Sequence, residues 1–431
     1  VAPVAISISS PFTVPNIRLF VLFRIFFGAR FYYPVFAILF LDYGLTLAQF
    51  AILNTVWAIT IVCLEVPSGA VADLIGRKRM IVLASVFMIL EMLVLAVVPM
   101  GNQAVVFWAF MINRILSGSA EACASGADEA LAYDSLEAVG RKADWPLVMD
   151  LQMRWHSMAM IGAMLIGAAV YDPGLIQTVT GWELARTTTV RFPIYLTGIM
   201  AVLALATAIR MREQSSTHTV ISADETFRQI LRAGRWILNT PRALVVIAVA
   251  LSVESVTRLF LTLDSKYFRL IGIPDAAFGI ISAGVAALGF GVPVLARWLV
   301  KHRSPTFNFW VMSGTVLVGL IGVALAWPWW GLIWVMPTVA GFYLVNFFAS
   351  HYLNEITEPK QRATVLSFRS LAQSLAYGMI NLLFGVLMAG LRRGMDPATD
   401  SFVAALGWLP VYFVAIVIML AVFSRHRWRT G

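Results

Sequence analysis

Twelve apolar runs of about 20 residues or more divide this chain and leave little between them. They cover residues 17–41, 46–70, 79–99, 104–133, 147–171, 190–209, 243–269, 275–299, 307–327, 329–353, 363–390 and 401–424. A helix needs about 20 mainly apolar residues to cross the hydrocarbon of a bilayer. Most of the runs are too long for core helices. They also lack the period-2 alternation of barrel strands. Of 431 residues, 60% are hydrophobic and only 13% charged, against about 25% charged in soluble domains. That much apolar surface cannot hide in one water-soluble core, so the lipid bilayer is the expected solvent. The fold class expected is an all-α membrane protein with twelve transmembrane helices.

The charges then orient the chain. With the N-terminus inside, the inner segments hold Arg18, Arg77 to Arg79, Arg141, Lys142, the arginines between 210 and 242, Arg297, Lys301, Arg303, Lys360, Arg362 and Arg425 to Arg429. The outer segments hold only Arg186, Arg191, Lys266, Arg269, Arg392 and Arg393. Lysine and arginine favour the cytoplasmic side by roughly three to one, which puts both termini there. The net charge of +9 is thus read as membrane orientation, and no nucleic-acid partner is implied. Val1 to Pro15 lack a basic stretch and a small-residue cleavage site, so no signal peptide is expected. Cys63 and Cys123 both fall within apolar runs and imply no disulfide framework.

The longest polar stretch, 210–242, splits the runs six and six. The expected domains are an N-terminal bundle (1–209), a linker (210–242) and a C-terminal bundle (243–431). Within the linker, Ser222 and Glu225 form a capping-box pattern. Phe227, Ile230, Leu231, Gly234, Ile237 and Leu238 then share a face, and Pro241 ends the run. An amphipathic helix on the inner membrane surface is expected; the alternative is a solvated linker helix. The halves look like repeats. Arg30, Gly44 and Phe50 recur at one common offset as Arg258, Gly272 and Phe278, and Arg154 has a counterpart in Arg369. Weak internal symmetry of this kind marks transporters whose site lies between two halves near mid-membrane.

The loop after the second run reads Pro-Ser-Gly-Ala-Val-Ala-Asp-Leu-Ile-Gly-Arg-Lys-Arg from Pro67 to Arg79. Gly69, Asp73, Gly76, Arg77 and Lys78 match Gly-x-x-x-Asp-x-x-Gly-Arg-Lys/Arg, the loop between helices 2 and 3 of the major facilitator superfamily, and the chain resembles that family. The resemblance implies two pseudo-symmetric six-helix bundles and a cytoplasmic latch made by this loop. Gly69 would let helix 2 approach a neighbour, Asp73 would meet a helix N-terminus, and Arg77 would bridge to Asp128 or Asp134. On helix 4, Arg114, Ser117 and Gly118 resemble the family's Arg-x-x-Gln-Gly, with serine for glutamine. Arginine there is associated with proton coupling. Arg114, Glu121 and Asp128 follow at seven-residue spacing and so share a stripe. Glu121 is a candidate proton carrier; alternatively it forms a fixed pair with Arg114 or Arg30.

Arg30 lies roughly 20 Å into helix 1, and Arg258 occupies the matching place in helix 7. In the family, helices 1, 4, 7 and 10 line the central cavity. Two opposed guanidiniums would clamp a phosphate or carboxylate, in positions similar to those of the family's organophosphate antiporters. Glu254, one turn before Arg258, is either part of that site or simply its neutraliser. Tyr33, Tyr343 and Asn346 are candidate polar contacts. Arg154, one turn from Asp150, and Arg369 are expected at a cytoplasmic gate. Helix 5 carries Gly162 and Gly167 but lacks the Gly-Pro pair of many drug/proton antiporters.

The five histidines show no metal-ligand spacing, and there is neither a phosphate-binding P-loop nor a Gly-x-Ser-x-Gly elbow. No cofactor, metal or enzymatic activity is expected. The reading reached is a monomeric secondary transporter of the inner membrane, using alternating access to move a small anionic organic solute with protons as coupling ion. The alternative is a proton-driven exporter of drug-like or amphiphilic compounds.

Overall fold

The computed structural model describes residues 10–213, 223–358, 361–394 and 398–428, and among these the secondary structure is helical without a strand. Every apolar run falls on a helix. The first six runs give α1 (Pro15–Gly28) with α2 (Phe36–Asp42), α3 (Leu47–Ile75), α4 (Arg77–Val97), α5 (Gln103–Ala124) with α6 (Ala127–Glu137), α7 (Trp145–Tyr171), and, after the short α8 (Pro173–Thr180) and α9 (Arg186–Thr189), α10 (Phe192–Arg210). The amphipathic α11 (Ala223–Asn239) follows. The last six runs give α12 (Pro241–Leu270), α13 (Phe278–His302), α14 (Pro305–Ala324), α15 (Gly331–Ile356), α16 (Arg362–Gly394) and α17 (Ala398–Trp428). Among the described residues, eleven helical segments are long and apolar enough to cross a membrane. The remaining run, the fourth, is split between α5 and α6 and carries Arg114 and Glu121.

Local chemistry sets many of the helix starts. Thr46 and Gln49 close a capping box at α3, with Thr46 N donating to Gln49 Oε1 at 2.9 Å and Gln49 N to Thr46 Oγ1 at 3.2 Å. Pro15, Pro241 and Pro305 stand in the first turns of α1, α12 and α14, where a missing N–H costs nothing.

Two runs expected as single helices are broken. The first stops at Gly28 and resumes at Phe36, because Pro34 has no N–H to donate and its ring would crowd the carbonyl of Arg30. The freed N–H of Phe31 donates to Thr197 Oγ1 at 3.1 Å. α7 comes so close that any side chain at Gly167 would collide with the Phe31 carbonyl. The fourth run breaks at Ser125 and Gly126, the latter with φ of 76°. The stripe expected through Arg114, Glu121 and Asp128 is therefore interrupted, and Asp128 sits on a separate helix.

The repeat is visible in the backbone. Gly44 and Gly272 close the matched turns at φ of 98° and 83°, a region where a side chain would be strained. The first and last six runs meet away from the arginine-rich face that carries Arg77 and Arg303. There Ala37 N donates to Ser265 Oγ at 3.0 Å, joining α2 to α12. Thr55 Oγ1 donates to the Gly378 carbonyl at 3.0 Å, joining α3 to α16, and a side chain at Gly279 would strike the Met164 carbonyl, so α13 and α7 touch as well.

The amphipathic helix packs on α12 and α16, with Ala233 and Ile237 buried against Ile247, Leu353 and Val365. Leu231 and Leu238 line a crevice with Gly234 and Ile237 as the shared face implies, but they and Phe227 remain more than half exposed. Ser222 and the side chain of Glu225 lie outside the described residues.

Candidate functional site: a charged cavity between the halves

A cavity of about 460 Å³ lies where the two sets of six runs face each other. It runs from the level of Arg30 and Arg258 toward the arginine-rich face, past Glu121, Glu65, Arg24 and Glu129. A second pocket of about 320 Å³, lined by Glu65, Gly69, Arg77 and Ser367, continues in the same direction. The walls of the main cavity are mixed: Phe27, Tyr33, Trp57, Ile61 and Met160 are apolar or aromatic, and His156, Ser370 and Ser374 are polar. Arg30, Tyr33, Glu121 and Arg258, all expected at the site, are thus brought together.

The two arginines are already engaged. Arg30, 3% exposed, bonds the fully buried carboxylate of Glu91 on α4 and stacks 5.3 Å from the Phe27 ring. Arg258 pairs with Glu254 of its own helix at 3.5 Å, with 30% of its side chain exposed. Its guanidinium lies 4.5 Å from the Tyr377 ring and 5.7 Å from that of Trp57. Arg24 pairs with Asp128 at 3.1 Å and with Glu129. No cation among the described residues lies within salt-bridge distance of Glu65 or Glu121. Arg114 is 4% exposed and does not reach Glu121. Both its Nε (3.1 Å) and Nη2 (3.0 Å) donate to Asn113 Oδ1, and the guanidinium lies 5.3 and 5.4 Å from the rings of Phe36 and Phe40.

Other expectations need correcting. Tyr343 and Asn346 do not line the cavity. Asn346 accepts from Arg369 at 3.0 Å, and the Tyr343 ring packs against Gly289 of α13. Arg369, 7% exposed, therefore ties α16 to α15. Arg154 is an exposed residue paired with Asp150 at 3.0 Å along α7. Gly69 makes no close helix contact, since a Cβ there would meet nothing within 4 Å; α3 and α5 approach instead at Gly118, where a Cβ would lie 2.9 Å from Thr60. Arg77 bonds Asp134 rather than Asp128, which is taken by Arg24. The side chain of Asp73 lies outside the described residues. The carboxylate that does cap a helix here is Glu213, accepting from Arg77 N at 3.1 Å and Lys78 N at 2.8 Å. Gly76, at φ of 102°, makes room for it, because a Cβ would stand 2.8 Å from Glu213 Oε2.

The sequence reading missed Glu91, Glu65 and a cluster at the far face. In that cluster Arg269 donates to Asp42 at 2.7 and 3.0 Å and to Asp275 at 3.1 and 2.8 Å. Arg186 bonds Asp275, and Tyr171 OH donates to Asp42 at 2.6 Å. Glu91 and Glu65 left a signal in the sequence: each is a lone carboxylate inside an apolar run, and such residues rarely face lipid.

The comparisons agree with this architecture. The description of the Major Facilitator Superfamily matches residues 18–379. Quinolone resistance protein NorA of Staphylococcus aureus (strain MRSA252) is 20% identical over 417 residues, covering 96% of this chain and 98% of that protein. Among solved structures, a bacterial homolog of the human lysosomal transporter Spinster, inward-facing and unoccupied, has a TM-score of 0.72 at 16% identity, covering 98% of both chains. The nucleoside transporter NupG has a TM-score of 0.69 at 12% identity, covering 95% of this chain and 98% of that one. A D-xylose-proton symporter has a TM-score of 0.68 at 15% identity, covering 95% and 97%. The loop motif, the two sets of six apolar runs, the cavity between them and the family match lead to one conclusion: this chain belongs to the Major Facilitator Superfamily.

Proposed function

We propose that this chain is a proton-driven exporter of cationic or neutral amphiphilic compounds, with one chain as the working unit. As a member of its family it is a multi-pass transporter of small-molecule solutes in the cell (inner) membrane, and not an enzyme. The finer reading is carried by the charge balance of the cavity. Each lining arginine has at least one carboxylate of its own and Arg24 has two, so the cavity carries surplus negative charge, and Glu65 and Glu121 are its carboxylates with no cation at salt-bridge distance among the described residues. A carboxylate beside Tyr33, Trp57 and Ile61 suits a solute with a cationic or proton-donating end and an apolar body. Glu121 holds either a proton or that solute end, and competition for one carboxylate makes the exchange obligatory. We take the arginine-rich face as cytoplasmic. The far face is closed by the Asp42–Arg269 cluster, so the cavity loads from inside, as export requires. The likeness to a quinolone resistance protein over nearly the whole chain supports efflux.

The test is transport of a cationic dye into inside-out vesicles with an acid interior. The native chain accumulates dye, and Glu121→Gln lowers the rate by about tenfold or more, the worth of one charge-assisted contact. Dye accumulation at the native rate in a Glu65→Gln/Glu121→Gln double variant overturns the reading.

A second reading, an anionic solute, is favoured by one observation: the long 3.5 Å contact between Arg258 and Glu254 beside the cavity. A solute carboxylate would displace Glu254. Counterflow of organic anions that survives in the native chain and vanishes in Arg258→Gln selects it.

A further inference from the structure

The amphipathic helix α11 does not lie flush on its neighbours. Between it and α12 and α16 runs a crevice of about 760 Å³. Its floor is aliphatic and aromatic, with Leu244, Ile247 and Leu251 of α12 and Phe368 of α16. Its rim is cationic: Arg228, Arg232 and Arg235 recur along α11 at spacings of four and three, so they share one side of the helix. Arg232 and Arg235 are exposed, and no carboxylate among the described residues lies within salt-bridge distance of either. Beside them Leu231 and Leu238, 55% and 61% exposed, add apolar side chains to the α11 wall of the crevice. The helix cannot settle deeper onto α16, since Gly234 already lies where a Cβ would stand 2.7 Å from the Phe368 ring.

A trough with an apolar floor and a guanidinium rim, at the level where membrane helices end, has the two chemistries of a phospholipid in the same order. We propose that this crevice is a binding site for one anionic phospholipid, its headgroup phosphate held by Arg232 and Arg235 and an acyl chain laid against Leu244, Ile247, Leu251 and Phe368. A zwitterionic lipid brings its own ammonium and loses the charge complementarity; a free phosphate ester lacks the chain that the floor accepts. The site joins α11 to α12 and α16, so its lipid fastens the connection between the two sets of six helices to the second set.

Native mass spectrometry of the purified full chain tests this. The detergent-solubilised protein is titrated with phosphatidylglycerol, with phosphatidylcholine of the same acyl chains, and with glycerol phosphate. The native chain retains phosphatidylglycerol, and Arg232→Gln/Arg235→Gln weakens it on the order of thirtyfold, from roughly one kcal/mol for each arginine. Phosphatidylcholine binds both proteins equally weakly, and glycerol phosphate does not bind. A charge-matched Arg392→Gln/Arg393→Gln variant, altered in the last turn of α16 at the other membrane face, keeps the native affinity. Four results overturn the proposal: equal retention of the two lipids by the native chain, unchanged phosphatidylglycerol binding in the crevice variant, an equal loss in the Arg392/Arg393 variant, or glycerol phosphate binding as tightly as the lipid.

Discussion

Arg30 and Arg258 occupy matched places in two repeats, yet their surroundings differ in kind. Arg30 stands in a break between α1 and α2, is almost wholly buried, and bonds Glu91 on another helix. Arg258 stands on the unbroken α12, is part-exposed, and meets Glu254 one turn away at 3.5 Å. The first pair ties two helices together, and the second is a local pair with slack. Pseudo-symmetry therefore preserves the position of a charge without preserving its task. The first arginine is a strut and the second is free to change partner.

The largest effect that separates the two comes from removing the strut. Arg30→Ala leaves the Glu91 carboxylate buried without its cation and costs about 3–5 kcal/mol. It is read as a large fall in the melting temperature of the purified protein. A double variant, Arg30→Met/Glu91→Leu, removes both charges and recovers most of the loss. Native melting of Arg30→Ala would dissolve the distinction. Gly167→Ala comes next, because the added carbon meets the Phe31 backbone at the break, where nothing flexible can yield. We expect about 1–3 kcal/mol. Gly162→Ala, on the same helix with open space around it, is neutral, so the pair sharpens the claim that the break is tightly held. Arg258→Gln is the mildest for stability, about 1 kcal/mol or less for a part-exposed pair. Its effect falls on solute selection, visible as a changed preference between cationic and anionic solutes in counterflow.

What the sequence revealed follows from which forces act locally. Run length and hydropathy placed every run on a helix, eleven of them on segments able to cross a bilayer, because crossing fixes the number of residues needed. Gly44 and Gly272 were legible as repeat markers, because a left-handed turn selects glycine wherever it recurs. Pro34 could have announced the break in the first run; the length of that run masked it. Pairings were less legible. The loop motif narrowed the partner of Arg77 to Asp128 or Asp134, and only packing assigns Asp134, since Arg24 of α1 claims Asp128. Glu91 pairs with a residue two runs away, a relation that no periodicity encodes. Tyr343 and Asn346 were expected in the cavity by analogy with a family's helix 10. Small rotations about α15 decide that question, and apolar composition on every side of a membrane helix gives no moment from which to read them.

The closed far face has one more property. Asp42 and Arg186 precede the linker, and Arg269 and Asp275 follow it. The bonds that cross are Arg269 to Asp42 and Arg186 to Asp275. Within each side there is also a ready-made couple, Arg186 with Asp42 at 3.6 Å and Arg269 with Asp275 at 2.8 Å. When the seam parts, every cation keeps an anion from its own side. Unzipping is a swap of dance partners that strands no lone ion in a dry place, so opening this face asks for an exchange of pairs and not for the loss of one.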